Sequence, residues 1–466
     1  MAKPANGRRR QPAPKAGIKA LLDKGRPDDA CAAAEAAVRA RPRDPHAWNG
    51  LGVALRALGR PEAAVAAYAR GIALAPHLPS LHSNLGNAWR DLGRFDDAVA
   101  AHRAALALTP DHAGTWTNLA VALRDATRYE EALHAFERSL QLAPDNASVR
   151  FDRGQVLLML GRYEEGWRDF EARLSLPDFR SAKLSQPRWD GSQQPAATLL
   201  LWPEQGFGDT ILCARFIAAA RRRVGRVVAI CKPELMRLFA TVAGIDELVP
   251  LGAAIPSYDV HAPLMSLPRF FIPRPSAITP PVQMTVSPDA VRKMAALIPD
   301  TGILNVGIVW SGSVTFKGNR QRAATLDRFL PLAANPNLHL FSLQKGEPAK
   351  DIAALRATAV VTDLAPHLKD FADTAAAVAR LDLVVMTDSS VAHLAGSLGR
   401  PVWNLLPHMP YWLYGPSGTA TPWYPSMRLF RQPANGDWSS VFERVAPALA
   451  ELAATPERRG RAITSS

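Results

Sequence analysis

Pro42, Pro76, Pro110 and Pro144 stand 34 residues apart, and a fixed period of that length confines this stretch of chain to a stack of like units. Two further columns keep the register. Gly25, Gly59, Gly93 and Gly161 share one position, with Thr127 in the odd slot, while Ala30, Ala64, Ala98, Ala132 and Gly166 share another. Glycine permits the turn between the two helices of a hairpin, small residues let those helices approach closely, and proline ends the second helix. Large residues fill alternate columns: Trp48 with Trp116, Leu51 with Leu85 and Leu119, Tyr68 with Phe136 and Phe170. Each helix thereby gains an apolar face for its neighbour. The spacings predict an α-helical solenoid of about five hairpins over residues 16–178.

Because the aromatic columns keep helix-packing spacing, they read as core rather than as a cofactor box. Such a stack offers an extended surface to a peptide or a partner protein. Asn49, Asn84 and Asn118 follow nearly the same period and have two readings, contact with a bound peptide backbone or a structural role within the stack.

Composition narrows the remaining classes. A length of 466 residues accommodates about three globular units. No apolar run is long enough to span a membrane, since even the stretch from Ile211 to Ala220 is interrupted by Arg215. Basic residues at the N-terminus are not followed by an apolar segment of the signal-peptide kind, and Cys31, Cys213 and Cys231 are too few and scattered for a disulfide framework. These features place the expected location in the cytoplasm. The net charge of +13 is concentrated, with Lys3, Arg8, Arg9, Arg10, Lys15 and Lys19 all preceding the first acid, Asp23. Residues 1–15 read as a basic flexible leader, either a solvated tail or a weak anchor to an anionic surface. Nucleic-acid binding lacks interleaved aromatics and a recognisable module, so it is not expected.

After a connector over residues 179–195 the periodicity changes. Short apolar runs alternate with helical patterns, among them Leu199 to Trp202, Val227 to Ile230, Asn305 to Trp310, Leu338 to Leu343, Leu383 to Met386 and Val402 to Leu406. Such runs predict buried parallel strands with helices on both faces. The proline-rich segment Ile272 to Pro281 divides them into two Rossmann-like lobes, residues 196–285 and 286–466.

Ligands of doubly wound sheets bind beyond the carboxyl ends of the strands, which directs attention to two loops. The first is Glu204-Gln205-Gly206-Phe207-Gly208-Asp209-Thr210. Ile211 stands where a dinucleotide fingerprint requires glycine, and Asp209 would repel a phosphate approaching the helix start. Asp209 can cap its helix or, facing a cleft, serve as a general base toward an attacking hydroxyl. The second loop runs from Thr387 through Asp388, Ser389, Ser390 and His393 to Gly399-Arg400-Pro401. Its free helix start suits an anion, with Ser389 and Ser390 cradling a diphosphate and His393 donating to it; the bland alternative is a run of small helix-start residues beside a core histidine.

Taken together, Gly208-Asp209 after the first strand, the Asp388 to His393 spacing and Gly399-Arg400-Pro401 resemble the family-9 glycosyltransferases of the lipopolysaccharide heptosyltransferase type. The repeat half resembles the tetratricopeptide repeat, with Trp48, Leu51, Gly52, Leu55, Ala64, Tyr68 and Pro76 as its best copy, and the layout is similar to that of O-GlcNAc transferases. The resemblance implies a GT-B pair of lobes and inverting transfer from a nucleotide-diphosphate sugar, with no metal and no bound cofactor. It implies Asp209 as base, with Gly208, Asp388, Ser389, Ser390 and His393 at the donor. Lys317, Arg320 and Arg322 would neutralise the leaving group unless they form a solvated surface, and Gln344 would contact base or ribose. The repeats would recruit a protein acceptor or partner. The family more often has Asp-Thr-Gly where this chain has Asp388-Ser389-Ser390, and a serine Cβ holds a ligand further from the backbone. That departure leaves a second reading, a non-catalytic repeat scaffold with a degenerate GT-B half.

Overall fold

In a computed structural model, residues 17–177, 184–315 and 318–454 are described, so the basic leader and Lys317 lie outside the described residues. The chain divides into two compact units, Met1–Val149 and Arg150–Ser466.

The first unit is built from α1 (Ile18–Asp23), α2 (Pro27–Ala40), α3 (Pro45–Ala57), α4 (Pro61–Leu74), α5 (Pro79–Asp91), α6 (Phe95–Leu108), α7 (Ala113–Asp125) and α8 (Tyr129–Leu142). Consecutive helices pack as hairpins, and each second helix packs on the first helix of the next hairpin. The sequence columns have direct physical roles. Ala30, Ala64, Ala98 and Ala132 are fully buried. Gly25, Gly59 and Gly93 turn with φ of 68°, 69° and 72°, and Thr127 adopts the same left-handed turn at 59° despite its Cβ. Each periodic proline lies one residue past the C-cap of a second helix, where it blocks continuation. In two of them the carbonyl is taken up by the Trp column, Trp48 Nε1 donating to Pro42 O at 2.9 Å and Trp116 Nε1 to Pro110 O at 2.7 Å, while Pro76 O lies 2.8 Å from Nε2 of His82 in the same column.

Asn84 Nδ2 donates to Asn49 Oδ1 at 2.9 Å and Asn118 Nδ2 to Ser83 Oγ at 3.4 Å. Of the two readings of these asparagines, the structural one is realised: they tie neighbouring hairpins together.

One core position breaks the pattern. His102 occupies the slot of Tyr68 and Phe136, is 0% exposed, and neither ring nitrogen has a hydrogen-bond partner among the described residues. Burial, helped by the positive charge of Arg90 and Arg56, lowers its pKa from 6.5 to about 4. The unfolded chain therefore takes up a proton below pH 6.5 that the folded chain refuses until about pH 4. Across that window the folded state loses on the order of 3 kcal/mol, at about 1.4 kcal/mol per pH unit. His102→Phe is expected to raise stability by about 1–2 kcal/mol at neutral pH, because it removes unpaired polar atoms from the core. Gly86 lets the ring at position 102 pack onto its backbone, as Gly52 does for Tyr68, so the incoming phenyl meets the same glycine floor. Urea midpoints at pH 7.5 and pH 5 check this; a variant as acid-sensitive as the parent would show that another group drives the loss.

The second unit opens with the helices α9 (Ala147–Met159, most of which lies in this unit) and α10 (Tyr163–Phe170) and continues as two parallel sheets. In the first sheet, β1 (Gln194–Trp202), β2 (Val224–Cys231), β3 (Glu247–Pro250) and β4 (Val260–Pro263) take the order β3-β2-β1-β4. In the second, β5 (Leu304–Val309), β6 (Leu338–Ser342), β7 (Val361–Asp363), β8 (Leu383–Thr387), β9 (Val402–Leu406) and β10 (Met427–Arg431) take the order β10-β9-β8-β5-β6-β7. All these pairs are parallel. The six apolar runs read from sequence supply β1, β2, β5, β6, β8 and β9, whereas β3, β4, β7 and β10 were not among them, and β5 and β8 are buried throughout. β1 begins inside the stretch read as a connector. Its described end is pinned because Trp189 is buried against Phe270 and Phe271, and Gln194 N donates to Arg223 O at 2.7 Å.

Both sheets reverse direction of strand addition beside one strand, at β1/β4 and at β5/β8. Crevices open at such switch points because the flanking crossovers leave to opposite faces. The loops after β1 and β8 are the two the sequence singled out, and the loop after β5 is the one the family resemblance added.

Candidate functional site

The loop after β1 leads into α11 (Phe207–Cys213), and the loop after β8 leads into the helix Ser390–Ser397. These two helices pack against each other, one from each sheet. The approach is close at one residue. A Cβ on Gly208 would lie 2.6 Å from His393 Cδ2, 3.1 Å from its Nε2 and 3.4 Å from Ser390 Cα. Only glycine lets the two motifs meet at this separation.

Around that contact stand three titratable groups, each held by a tyrosine from a single segment after β9. Tyr411 OH donates to Asp209 Oδ1 at 3.1 Å, Tyr414 OH donates to Asp388 Oδ1 at 2.6 Å, and Tyr424 OH lies 3.1 Å from His393 Nδ1. Asp209 also accepts from Gly206 N through Oδ2 at 3.1 Å, so it caps its own helix while facing the other sheet. Burial pushes the Asp209 carboxyl above its ordinary range, against the pull of His393, Tyr411 and the Gly206 N–H, with Asp388 adding to the rise. His393 moves the other way. It is 5% exposed, and burial lowers its pKa despite the two nearby carboxylates, with Arg215 and Arg322 adding to the fall.

The remaining sequence candidates divide. Ser389 is the N-cap of its helix and its side chain makes no cap bond, which leaves the start of that helix open. Arg322 is half-buried and turned toward Gly312, within electrostatic reach of His393. Arg320 is exposed, and Lys317 lies outside the described residues. Gln344 corrects the expectation of a ligand contact. It is 2% exposed, its Oε1 accepts from Trp310 N at 3.1 Å and Ser311 N at 3.0 Å, and its Nε2 donates to Ser311 O and Lys345 O. With every polar position spent on backbone, Gln344 shapes the loop after β5 instead of reaching a ligand. No group of three or more His, Cys, Asp or Glu side chains arranged to hold a metal ion occurs among the described residues.

With this geometry in hand, comparison with known proteins separates the two halves. Tetratricopeptide-repeat models match residues 16–79, 78–145 and 117–174. The N-terminal part of the chain is made of tetratricopeptide repeats. Protein FlbA of Caulobacter vibrioides is 28% identical over 298 residues, which takes in 58% of this chain and 49% of that protein. The chain thus spans about half the length of that relative, and the likeness is longer than the repeats, so it reaches into the α/β half. Among solved structures, MamA from Desulfovibrio magneticus RS-1 is 20% identical with a TM-score of 0.30, covering 34% of this chain and 88% of its own. TTC0263 of Thermus thermophilus, a tetratricopeptide protein, is also 20% identical, with a TM-score of 0.31 and the same two coverages. Pseudomonas aeruginosa PilF is 19% identical with a TM-score of 0.32, covering 34% of this chain and 72% of its own. No helix among the described residues is long and apolar enough to cross a membrane.

Beyond the tetratricopeptide hairpins, helix α10 contributes to the site's surroundings in a way the repeat pattern alone did not signal. Trp423 Nε1 donates to Tyr163 OH at 3.1 Å, and the Trp167 ring meets that of Trp412 edge-on at 5.2 Å. Trp412 and Trp423 are the chain neighbours of Tyr411 and Tyr424. The tyrosine-bearing segment is therefore sandwiched between α10 and the two motifs. Sequence reasoning missed these tyrosines, although three of the chain's 7 fall between 411 and 424.

Proposed function

We propose that the α/β half is an inverting, metal-independent glycosyltransferase of GT-B architecture that uses a nucleotide-diphosphate sugar, and that the tetratricopeptide half recruits a protein acceptor or partner. The observation that carries this reading is the convergence of the Gly208-Asp209 turn and the Asp388 to His393 turn, from two different sheets, at their switch points.

The chemistry asks for two opposite things within a few ångströms. An acceptor hydroxyl must lose its proton as its oxygen attacks the anomeric carbon, and the breaking bond to the diphosphate must leave its electron pair on a stabilised anion. Asp209 suits the first task, because a carboxylate whose pKa is raised by burial is a stronger base than a free one. The second falls to the open start of the Ser390–Ser397 helix, whose backbone N–H groups and dipole favour an anion, with the His393 ring and the Arg322 charge beside it. Packing of the two helices excludes water that would otherwise hydrolyse the donor.

Isothermal titration of the full chain with ADP, UDP and GDP tests this directly. One nucleotide is expected to bind, and Ser390→Asp to weaken it by at least roughly 100-fold, since a like charge at the diphosphate costs several kcal/mol. A folded protein that binds none of the three removes the donor site and leaves the scaffold reading, in which the repeat surface carries the function.

A further inference from the structure

Arg215 is an unusual charge to bury. It follows α11 in the first sheet's half of the unit and is 7% exposed, and no carboxylate forms an ion pair with it among the described residues. Its Nε donates to Leu212 O at 3.0 Å, and its Nη1 to Thr279 O at 3.0 Å and Trp423 O at 3.1 Å. The guanidinium lies over the rings of Trp423 and Tyr424, 5.2 and 5.0 Å from their centroids. Tyr424 also meets His393, whose Nδ1 is 3.1 Å from the phenol oxygen.

Arg215 interacts with the Tyr424 hydroxyl, and a guanidinium has donors and no acceptor, so the phenol hydrogen cannot go to it. The ring nitrogen within hydrogen-bond distance of that oxygen is His393 Nδ1. A histidine nitrogen that accepts a hydrogen bond leaves the ring's remaining hydrogen on the other nitrogen. We propose that Arg215, acting through Tyr424, is a positioning residue that locks His393 in the tautomer with hydrogen on Nε2. That N–H is turned toward Gly208 and the Asp209-bearing turn, where a Cβ on Gly208 would lie 3.1 Å from it. His393 is then a neutral donor and not a base.

The charges around the ring agree with this. Asp388 and Asp209 favour the imidazolium, whereas burial, Arg215 and Arg322 oppose it, and the opposition wins. Burial pushes the Tyr424 hydroxyl up to about 12, so it keeps the hydrogen it must donate. In the transferase reading, on which the use of this donor rests, the Nε2–H is what meets the diphosphate.

The tautomer is observable without substrate. Two-bond proton–nitrogen spectra of the full chain labelled with 15N-histidine, with His393 assigned by its absence in His393→Gln, report which nitrogen carries hydrogen. The expected wild-type pattern is hydrogen on Nε2 at pH 7.5, with the imidazolium forming only below the ordinary histidine range. Tyr424→Phe is expected to give a mixture of tautomers. Arg215→Gln is expected to do the same and to raise the imidazolium midpoint by about one pH unit, and Arg215→Lys to restore the wild-type midpoint in part. Hydrogen on Nδ1 in the wild type overturns the proposal, as does an unchanged pattern in Tyr424→Phe. Nucleotide titration of the same samples separates the two readings. Hydrogen on Nε2 in a protein that binds no nucleotide upholds the relay and removes the transferase; nucleotide binding with hydrogen on Nδ1 removes the relay alone.

Discussion

Asp209→Asn is expected to keep the fold and the nucleotide affinity and to lower turnover by roughly 10²–10⁴-fold, the usual cost of a lost general base. The substitution is nearly isosteric. The asparagine amide oxygen can still accept from Gly206 N in the place of Oδ2, while the amide NH2 in the place of Oδ1 donates to the Tyr411 hydroxyl oxygen, so the helix cap survives. What the amide cannot do is take a proton. A companion variant tests the environment. Tyr411→Phe removes a donor that favours the ionised carboxylate, so the pKa of Asp209, already raised by burial, rises further. A base works only when ionised, so the acid limb of the rate profile moves to higher pH, while the rate well above that limb is largely kept. Initial rates from pH 5 to 9 with the nucleotide sugar identified by titration check both variants. Full turnover in Asp209→Asn excludes Asp209 from proton transfer, and an unmoved acid limb in Tyr411→Phe assigns that limb to another group.

Much of this arrangement was legible in the chain because it rests on short-range rules. A 34-residue period, a positive-φ glycine column and buried alanines are each imposed by one hairpin's own geometry, so they recur wherever the hairpin does. Thr127 was visible as an odd slot and does turn at φ 59°. The Gly208-Asp209 and Asp388 to His393 turns were legible for a similar reason, since a parallel strand's C-terminal end is where such sheets open. Contacts between distant segments were not. The aromatic cluster from Tyr411 to Tyr424 has no period, and only the folded chain reveals that its tyrosines reach three different acids and bases on two sheets. Gln344 was misjudged because its place at a strand end is the same for a ligand contact as for a loop brace. The backbone of Trp310 and Ser311, brought beside it by the pairing of β5 with β6, decides the matter.

The last link of that kind lies between the helices at the start of the second unit and the Asp209 loop, and it predicts the largest stability effect. Arg173, in the turn after α10, has a side chain that is 0% exposed. Its Nη2 donates to Glu204 Oε1 at 2.6 Å and Ser266 Oγ at 3.0 Å, and its Nη1 to Glu171 Oε1 at 2.8 Å and Phe170 O at 3.0 Å. Glu204, whose side chain is 2% exposed, opens the loop that ends in Asp209. Arg173→Met fills the space but strands that carboxylate, and removing one partner of a buried pair costs about 3–5 kcal/mol. The loss carries a pH signature. Burial raises the pKa of Glu204 to about 6 even with Arg173 pulling it down, so without the guanidinium it rises further. The unfolded chain ionises this group near pH 4.3, and every pH unit above that in which the folded chain must hold the proton costs about 1.4 kcal/mol. The destabilisation is therefore greatest at alkaline pH, shrinks as pH falls toward the unfolded value, and is partly relieved by adding Glu204→Gln. Urea unfolding followed by tryptophan fluorescence at pH 8 and pH 5 measures it. A loss below about 1 kcal/mol at pH 8, or one equal at both pH values, would mean that the pair contributes packing alone and that Glu204 sheds its charge at no cost.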